Sequence, residues 1–299
     1  MANNVWVQVS NIGPSPRAGH KMVYDSDRKV TVLFGGNTGT ACLNDTWEWD
    51  GNVWTQVANT GPDKRYLHVM SYDSSRKKTV LFGGYLFPFA GQAEVFYTDT
   101  WEWDGALWTK VAENGIKNLW PAMAYDANAK KSILYGNNVG VNDATLAWDG
   151  NEWKELSVIN PASVRKHDMC FNTVTNTIIL YGGVSSGTLS DTWEWDGAFW
   201  KQLSDFGAKP LLLHAMAFNG KNVVLFGGAT VENVATAVNE TWQWDGKHWS
   251  LTQYFGPAAR MSHAMCADTA RNKVILFGGA TSEANDATFF SDTWELDSN

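Results

Sequence analysis

Hydrophobic positions along this chain fall in short segments with a period of two, separated by polar turns. The segments come in a fixed order that repeats. The first reads His-x-Met-x-aromatic, as at 20–24 and 68–72, so His, Met and the ring share one face of a strand. The other face carries smaller side chains: Val23, Ser71, Ala124, Cys170, Ala217 and Cys266. That asymmetry predicts sheets that interlock, large face on small face. A polar turn such as DSDRK leads to a short β-branched segment ending on glycine: VLFGG at 32–36, 80–84 and 224–228, ILYGN at 133–137, ILYGG at 179–183 and ILFGG at 275–279. Glycine there permits a positive φ and close backbone approach. After a loop of variable length comes TWEWDG or a variant of it, at 46–51, 100–105, 145–150, 192–197 and 241–246. Its Asp-Gly step predicts a tight hairpin into a fourth strand that carries another tryptophan. The tryptophans flanking that hairpin are expected to stack, worth about 0.5–1.5 kcal/mol beyond their burial.

The unit recurs every 45 to 53 residues, the mark of an array of supersecondary units, none of which buries its faces alone. Of 17 tryptophans, 16 occupy three repeat positions, and only Trp120 lies elsewhere. The sixth copy stops at TWELD (293–297), and its missing fourth strand is supplied by VWVQV (5–9). Four strands per unit and six units predict a closed all-β ring whose joined termini remove the free edge.

A double glycine after a hydrophobic strand, followed by spaced aromatics, resembles the kelch repeat, and the TWEWDG form looks like that of bacterial tryptophan-rich kelch proteins. The resemblance covers essentially the whole chain. It implies a six-bladed kelch β-propeller of four antiparallel strands per blade, as a single domain over 1–299. The expected blades are 17–58, 65–112, 118–157, 164–204, 211–253, and 260–297 joined by 5–9 as the outer strand.

Composition narrows the function. A net charge of -8 argues against a nucleic-acid backbone binder, which needs a basic footprint. Hydrophobic residues are 44% of the chain, enough for a core, yet no run approaches a membrane span. MANNVWVQVS has neither a basic nor an apolar leader region, so no secretory signal is expected. Together with three sparse cysteines, Cys42, Cys170 and Cys266, this argues against a disulfide framework and leans toward a cytoplasmic protein, with a mature secreted form as the alternative; a monomer is expected. No zinc spacing, nucleophile elbow, P-loop or dinucleotide fingerprint is present, so no metal or cofactor is expected.

Five histidines, His20, His68, His167, His214 and His263, share one repeat position and read as structural. Arginine precedes that position by three residues at Arg260, Arg17 and Arg65, in three consecutive blades, and is replaced by Asn118, Val164 and Leu211 in the others. In kelch domains that recognise acidic peptides, arginines at a similar position line the mouth. The resemblance therefore implies an anion site, and guanidinium suits a carboxylate. The alternative is a consensus arginine paired to a neighbouring aspartate. The third unit is divergent, with Gly136-Asn137 for the double glycine, TLAW for TWEW, and the extra Trp120. The second has the longest loop between its second and third strands, holding Tyr85, Phe87 and Phe89. Strand direction puts these loops and the arginines on one face. The expected ligand-binding set is thus Arg17, Arg65, Arg260, Tyr85, Phe87, Phe89, Trp120 and Asn137. Two functions fit: a binding module for a protein, an acidic peptide or an anionic glycan, or an enzyme on a small sugar-like substrate. The enzyme would use a loop carboxylate among Glu94, Asp143, Glu232, Glu283 and Asp286.

Overall fold

The computed structural model describes residues 5–87, 93–113, 118–138, 144–156, 161, 164–231, 237–253, 255–284 and 286–297. These residues form six four-stranded antiparallel sheets and one small hairpin, Tyr85–Leu86 with Val95–Phe96. In five sheets the strands, here A to D, lie side by side in chain order. Blade one, for example, comprises Lys21–Asp25, Val30–Asn37, Cys42–Trp49 and Trp54–Ala58. In blade six, strands Ala264–Asp268, Lys273–Phe277 and Thr293–Asp297 are completed by the N-terminal strand Trp6–Ser10, with Trp6 opposite Leu296. Each A strand touches the A strands of the two neighbouring blades, and the cycle closes from blade six to blade one. The protein is a six-bladed β-propeller.

Its core lies between blades. Met22, Tyr24, Leu33, Trp49 and Trp54 of blade one pack on Ala264, Cys266, Ile275 and Phe277 of blade six. On the opposite face, Val23, Val32 and Phe34 receive Met70, Tyr72, Trp103 and Trp108 of blade two. The hairpin tryptophans pair across strands C and D, with Trp49 and Trp54 rings 5.5 Å apart.

The strand-D tryptophan does a second thing that its repeat position did not disclose. Its indole N–H donates to the strand-C threonine of the preceding blade in all six blades. The donors and acceptors are Trp54 to Thr293, Trp108 to Thr46, Trp153 to Thr100, Trp200 to Thr145, Trp249 to Thr192 and Trp6 to Thr241. Each bond, at about 1 kcal/mol net, ties one blade to the next, and the Trp6 bond locks the N-terminal strand into the ring.

The double glycine also has a specific cause. A Cβ on Gly35 would lie 2.8 Å from the Arg65 carbonyl, and one on Gly36 would lie 2.9 Å from the His20 Cβ. Both residues have positive φ, at 62° and 103°. Blade three does without this kink. Its strands Asn118–Asp126 and Lys131–Asn138 run on as a longer hairpin, and Pro121 packs against Gly136.

Candidate functional site

Six residues, one per blade, sit in the left-handed region just before the histidine position: Gly19 (64°), Leu67 (56°), Trp120 (50°), Lys166 (60°), Leu213 (56°) and Ser262 (54°). They stand in a ring at the mouth of the propeller, and five backbone hydrogen bonds link them from Trp120 round to Leu67. Gly19 N–H donates to Ser262 O at 2.8 Å, Leu67 to Gly19 at 2.8 Å, Lys166 to Trp120 at 3.3 Å, Leu213 to Lys166 at 2.8 Å and Ser262 to Leu213 at 2.9 Å. Five non-glycine residues in this region cost of order 1 kcal/mol each, and blade-to-blade pairing offsets that strain. The side chain at this position is free to vary, so it sets the chemistry of the mouth.

Beneath the ring lie the five histidines, all buried. Each imidazole wedges against the strand-B aromatic of the preceding blade, Phe277, Phe34, Tyr135, Tyr181 and Phe226, at 5.4 to 5.6 Å, edge-on in four blades and tilted at His167. Burial drives their pKa values down, His167 and His214 to about 3, with nearby cations adding to the effect at His20, His68 and His263. They are neutral wedges. Among the described residues no group of three or more His, Cys, Asp or Glu is arranged to hold a metal ion. Lys21 reaches across the axis from blade one to Asp168 of blade four, 3.4 Å away.

The three arginines do not reach the mouth, which corrects the expectation that they form an anion site. Each is fully buried. Arg65 holds Asp99 with two nitrogens, at 2.6 and 3.0 Å, and also donates to the carbonyls of Gly83 and Asp63. Arg17 holds Asp45 at 2.7 and 2.8 Å, and Arg260 holds Asp292 at 2.6 and 2.9 Å. The same aspartates accept the indole N–H of Trp47, Trp101 and Trp294. Burial pushes these three carboxyls up, but the arginine outweighs it and holds them below the usual carboxylate range. Tyr97 and Phe290 lie against Arg65 and Arg260, 3.9 and 4.1 Å from ring centroid to guanidinium. With every donor turned inward, these guanidiniums present none to a ligand.

What the loop face does present is aromatic. A hollow of about 200 Å³ over the ring is lined by Tyr66, Phe87, Trp120, Asn37, Glu283 and Phe289, among others. A second, of about 310 Å³, lies between Tyr66, Tyr85, Phe87, Phe96, Glu94 and Trp120. They share Tyr66, Leu67, Phe87 and Trp120, so they form one cleft. Of the expected set, Tyr85, Phe87 and Trp120 meet here. Phe89 lies outside the described residues, and Asn137 sits in strand B of blade three with its backbone paired to Leu119. Tyr66, Phe96 and Phe289 join the cleft although the sequence reading did not single them out as site residues. Lys166 stands over the Trp120 ring at 5.3 Å and binds both Glu283 oxygens, at 3.0 and 3.1 Å. Tyr85 donates to Glu94 at 2.8 Å, and burial first, then Glu94, push its phenol up to about 12. Of the loop carboxylates considered for catalysis, Glu94 and Glu283 are thus engaged, and Asp143 and Glu232 lie outside the described residues.

Fold, repeat and mouth together define a kelch-type propeller. The chain belongs to the Kelch-repeat family: residues 140–299 match the KLHDC2/KLHL20/DRC7 Kelch-repeats domain. No curated protein matched the chain. Kelch-repeat propellers commonly serve as protein-interaction modules.

Proposed function

We propose that this protein is an interaction module that holds a short segment of a protein partner in the aromatic cleft of its loop face. The observation that carries this reading is the continuity of the two hollows across Tyr66, Phe87 and Trp120. Phe87 is 45% exposed, a large apolar side chain displayed beside a concave surface. Aromatic anchors in such a cleft dominate binding energy. An acidic peptide or anionic glycan is less well matched, because the arginines that would receive it are spent on Asp45, Asp99 and Asp292.

Selection of displayed random peptides against the protein tests the reading. Peptides are expected to be enriched, and Phe87→Ala to weaken them about tenfold or more with the melting temperature unchanged. Val174→Ala, in an exposed A–B turn, serves as the control and is expected to change nothing. Failure to enrich any peptide, or peptides indifferent to Phe87, would remove the cleft as the partner site.

A further inference from the structure

We infer that the outer half of this cleft is an aromatic cage for an alkylammonium group. The inference rests on the cleft being the ligand site and names the chemistry it takes. Tyr85 is packed at 5.4 Å on Tyr66 and at 4.9 Å on Phe96, both tilted, so these rings make a continuous wall. Phe87 stands nearly perpendicular to that wall, its ring 6.2 Å from Tyr85 at 79°. Trp120 closes the inner side. Rings at right angles bound a box, whereas a sugar needs a flat platform.

Charge points the same way. Aromatic faces carry negative potential and attract a cation held within about 6 Å of the ring centre. Among the described residues lining this hollow, Glu94 is the only charged one, and it sits at the exposed edge with Tyr85 fixing one of its oxygens. Two cations stand beside the cleft and both are paired: Arg65 is buried against Asp99, and Lys166, 5.3 Å from the Trp120 ring, is held by both Glu283 oxygens, so neither brings an uncompensated charge against a cationic guest. A soft, weakly hydrated cation with an apolar periphery satisfies both the rings and the carboxylate. A compact, strongly hydrated ammonium would lose more water than the rings replace, so methylated nitrogen is favoured over the bare amine. Two sources share this chemistry: a free quaternary ammonium compound, and an N-methylated lysine of a partner protein.

The experiment is a titration followed by NMR on the ligand's methyl signals. The probes are choline, its neutral carbon analogue 3,3-dimethylbutan-1-ol, and a five-residue peptide with trimethyllysine flanked by alanines. Choline is expected to bind about tenfold more tightly than the alcohol. Phe87→Ala should abolish saturable binding, and Glu94→Gln should weaken choline roughly fivefold while leaving the alcohol unchanged. Both variants lie in an exposed loop, and an unchanged melting curve verifies the fold. A peptide that binds more tightly than choline assigns the site to a modified protein, and the reverse assigns it to a small molecule. Equal binding of choline and the alcohol, or choline affinity indifferent to Phe87, would overturn the cage. If selected peptides still depend on Phe87 while choline does not bind, the ammonium chemistry falls and the cleft stands. If neither depends on Phe87, both fall.

Discussion

Blades six, one and two differ from blades three, four and five in how they are fastened. In the first group an arginine at the start of strand A clamps the aspartate at the start of strand C: Arg260 to Asp292, Arg17 to Asp45, Arg65 to Asp99. A second arginine in the A–B turn binds two acids of its own blade: Arg271 to Asp268 and Glu295, Arg28 to Asp25 and Glu48, Arg76 to Asp73 and Glu102. These side chains also press against the Asp-Gly turn of the next blade, at Gly51, Gly105 and Gly150. Trp103 and Trp148 donate across the same interfaces to Glu48 and Glu102, whereas Trp49 of blade one and Trp195 and Trp244 of blades four and five have no such partner. Blade five makes a substitute clamp between Lys209 and Glu240. Blade four keeps the acid, Asp191, with Val164 where the arginine would be. Burial and then Asp205 push that carboxyl up. Among the described residues, one half of the ring is bolted by fully buried arginine–aspartate pairs, and the other relies on apolar packing, the threonine–tryptophan bonds and ion pairs such as Lys209–Glu240 and Lys21–Asp168.

Acid is the harshest way to sharpen this contrast, because the histidine wedges occur in both halves. Folded, these imidazoles resist protonation, and unfolded they accept protons near the ordinary value of 6.5. The unfolded chain therefore binds more protons below that pH, so stability present above pH 6.5 is lost as pH falls toward about 3. Each histidine contributes a slope of up to about 1.4 kcal/mol per pH unit. Urea unfolding across that range is expected to show both halves weakening together. The aspartates of the bolted half, held below 3.8, add their loss only at the acid end. A flat profile between pH 6.5 and 4 would contradict the buried neutral wedges.

Removing a bolt should separate the halves. Arg65→Ala leaves Asp99 buried without its partner and is expected to cost about 3–5 kcal/mol in urea unfolding. Lys209→Ala, whose side chain is 47% exposed, should cost no more than about 1 kcal/mol. Similar losses for the two would erase the distinction.

A finer probe uses two glycines with the same backbone. Gly105 and Gly246 have φ of 98° and 96°, so alanine is strained equally at both. At Gly105 the new Cβ would lie 2.8 Å from Arg28 Nε, and at Gly246 it would meet nothing within 4 Å. Gly105→Ala should therefore be less stable than Gly246→Ala by about 1 kcal/mol. The smallest effect is a gain. Val164→Arg supplies Asp191 with the missing guanidinium and should stabilise blade four by about 1 kcal/mol. NMR titration should show the Asp191 carboxyl falling to or below the ordinary range.

The same contrast explains what the sequence disclosed. Repeats, strand order and ring closure were legible because each depends on residues that recur in fixed order within one unit. The arginine run leaves two readings open in the sequence, an anion site and an arginine paired to a neighbouring aspartate, because its partners lie 28 to 34 residues downstream, two strands away; the structure has the pairing. A partial signal was nevertheless present: Arg17, Arg65 and Arg260 all accompany an aspartate before Thr-Trp, Asn118 accompanies Ala144 and Leu211 accompanies Glu240, with Val164 beside Asp191 the exception. The left-handed ring was not legible, because Leu, Trp, Lys and Ser at its positions look like drift until their backbone angles are known. Phe289 was hidden for a related reason, since its meeting with Phe87 joins blade six to blade two and is made by the ring and not by the chain.

The central claim is that buried arginines fasten the propeller while the aromatic cleft binds. Arg65→Ala and Phe87→Ala, measured side by side for urea midpoint and for affinity toward a selected peptide, test it most directly. The account predicts that Arg65→Ala lowers the midpoint sharply and that the protein remaining folded binds normally. Phe87→Ala keeps the midpoint and loses binding. An anionic ligand whose binding is abolished by Arg65→Ala at an unchanged midpoint would contradict the account and return the arginine to the ligand site.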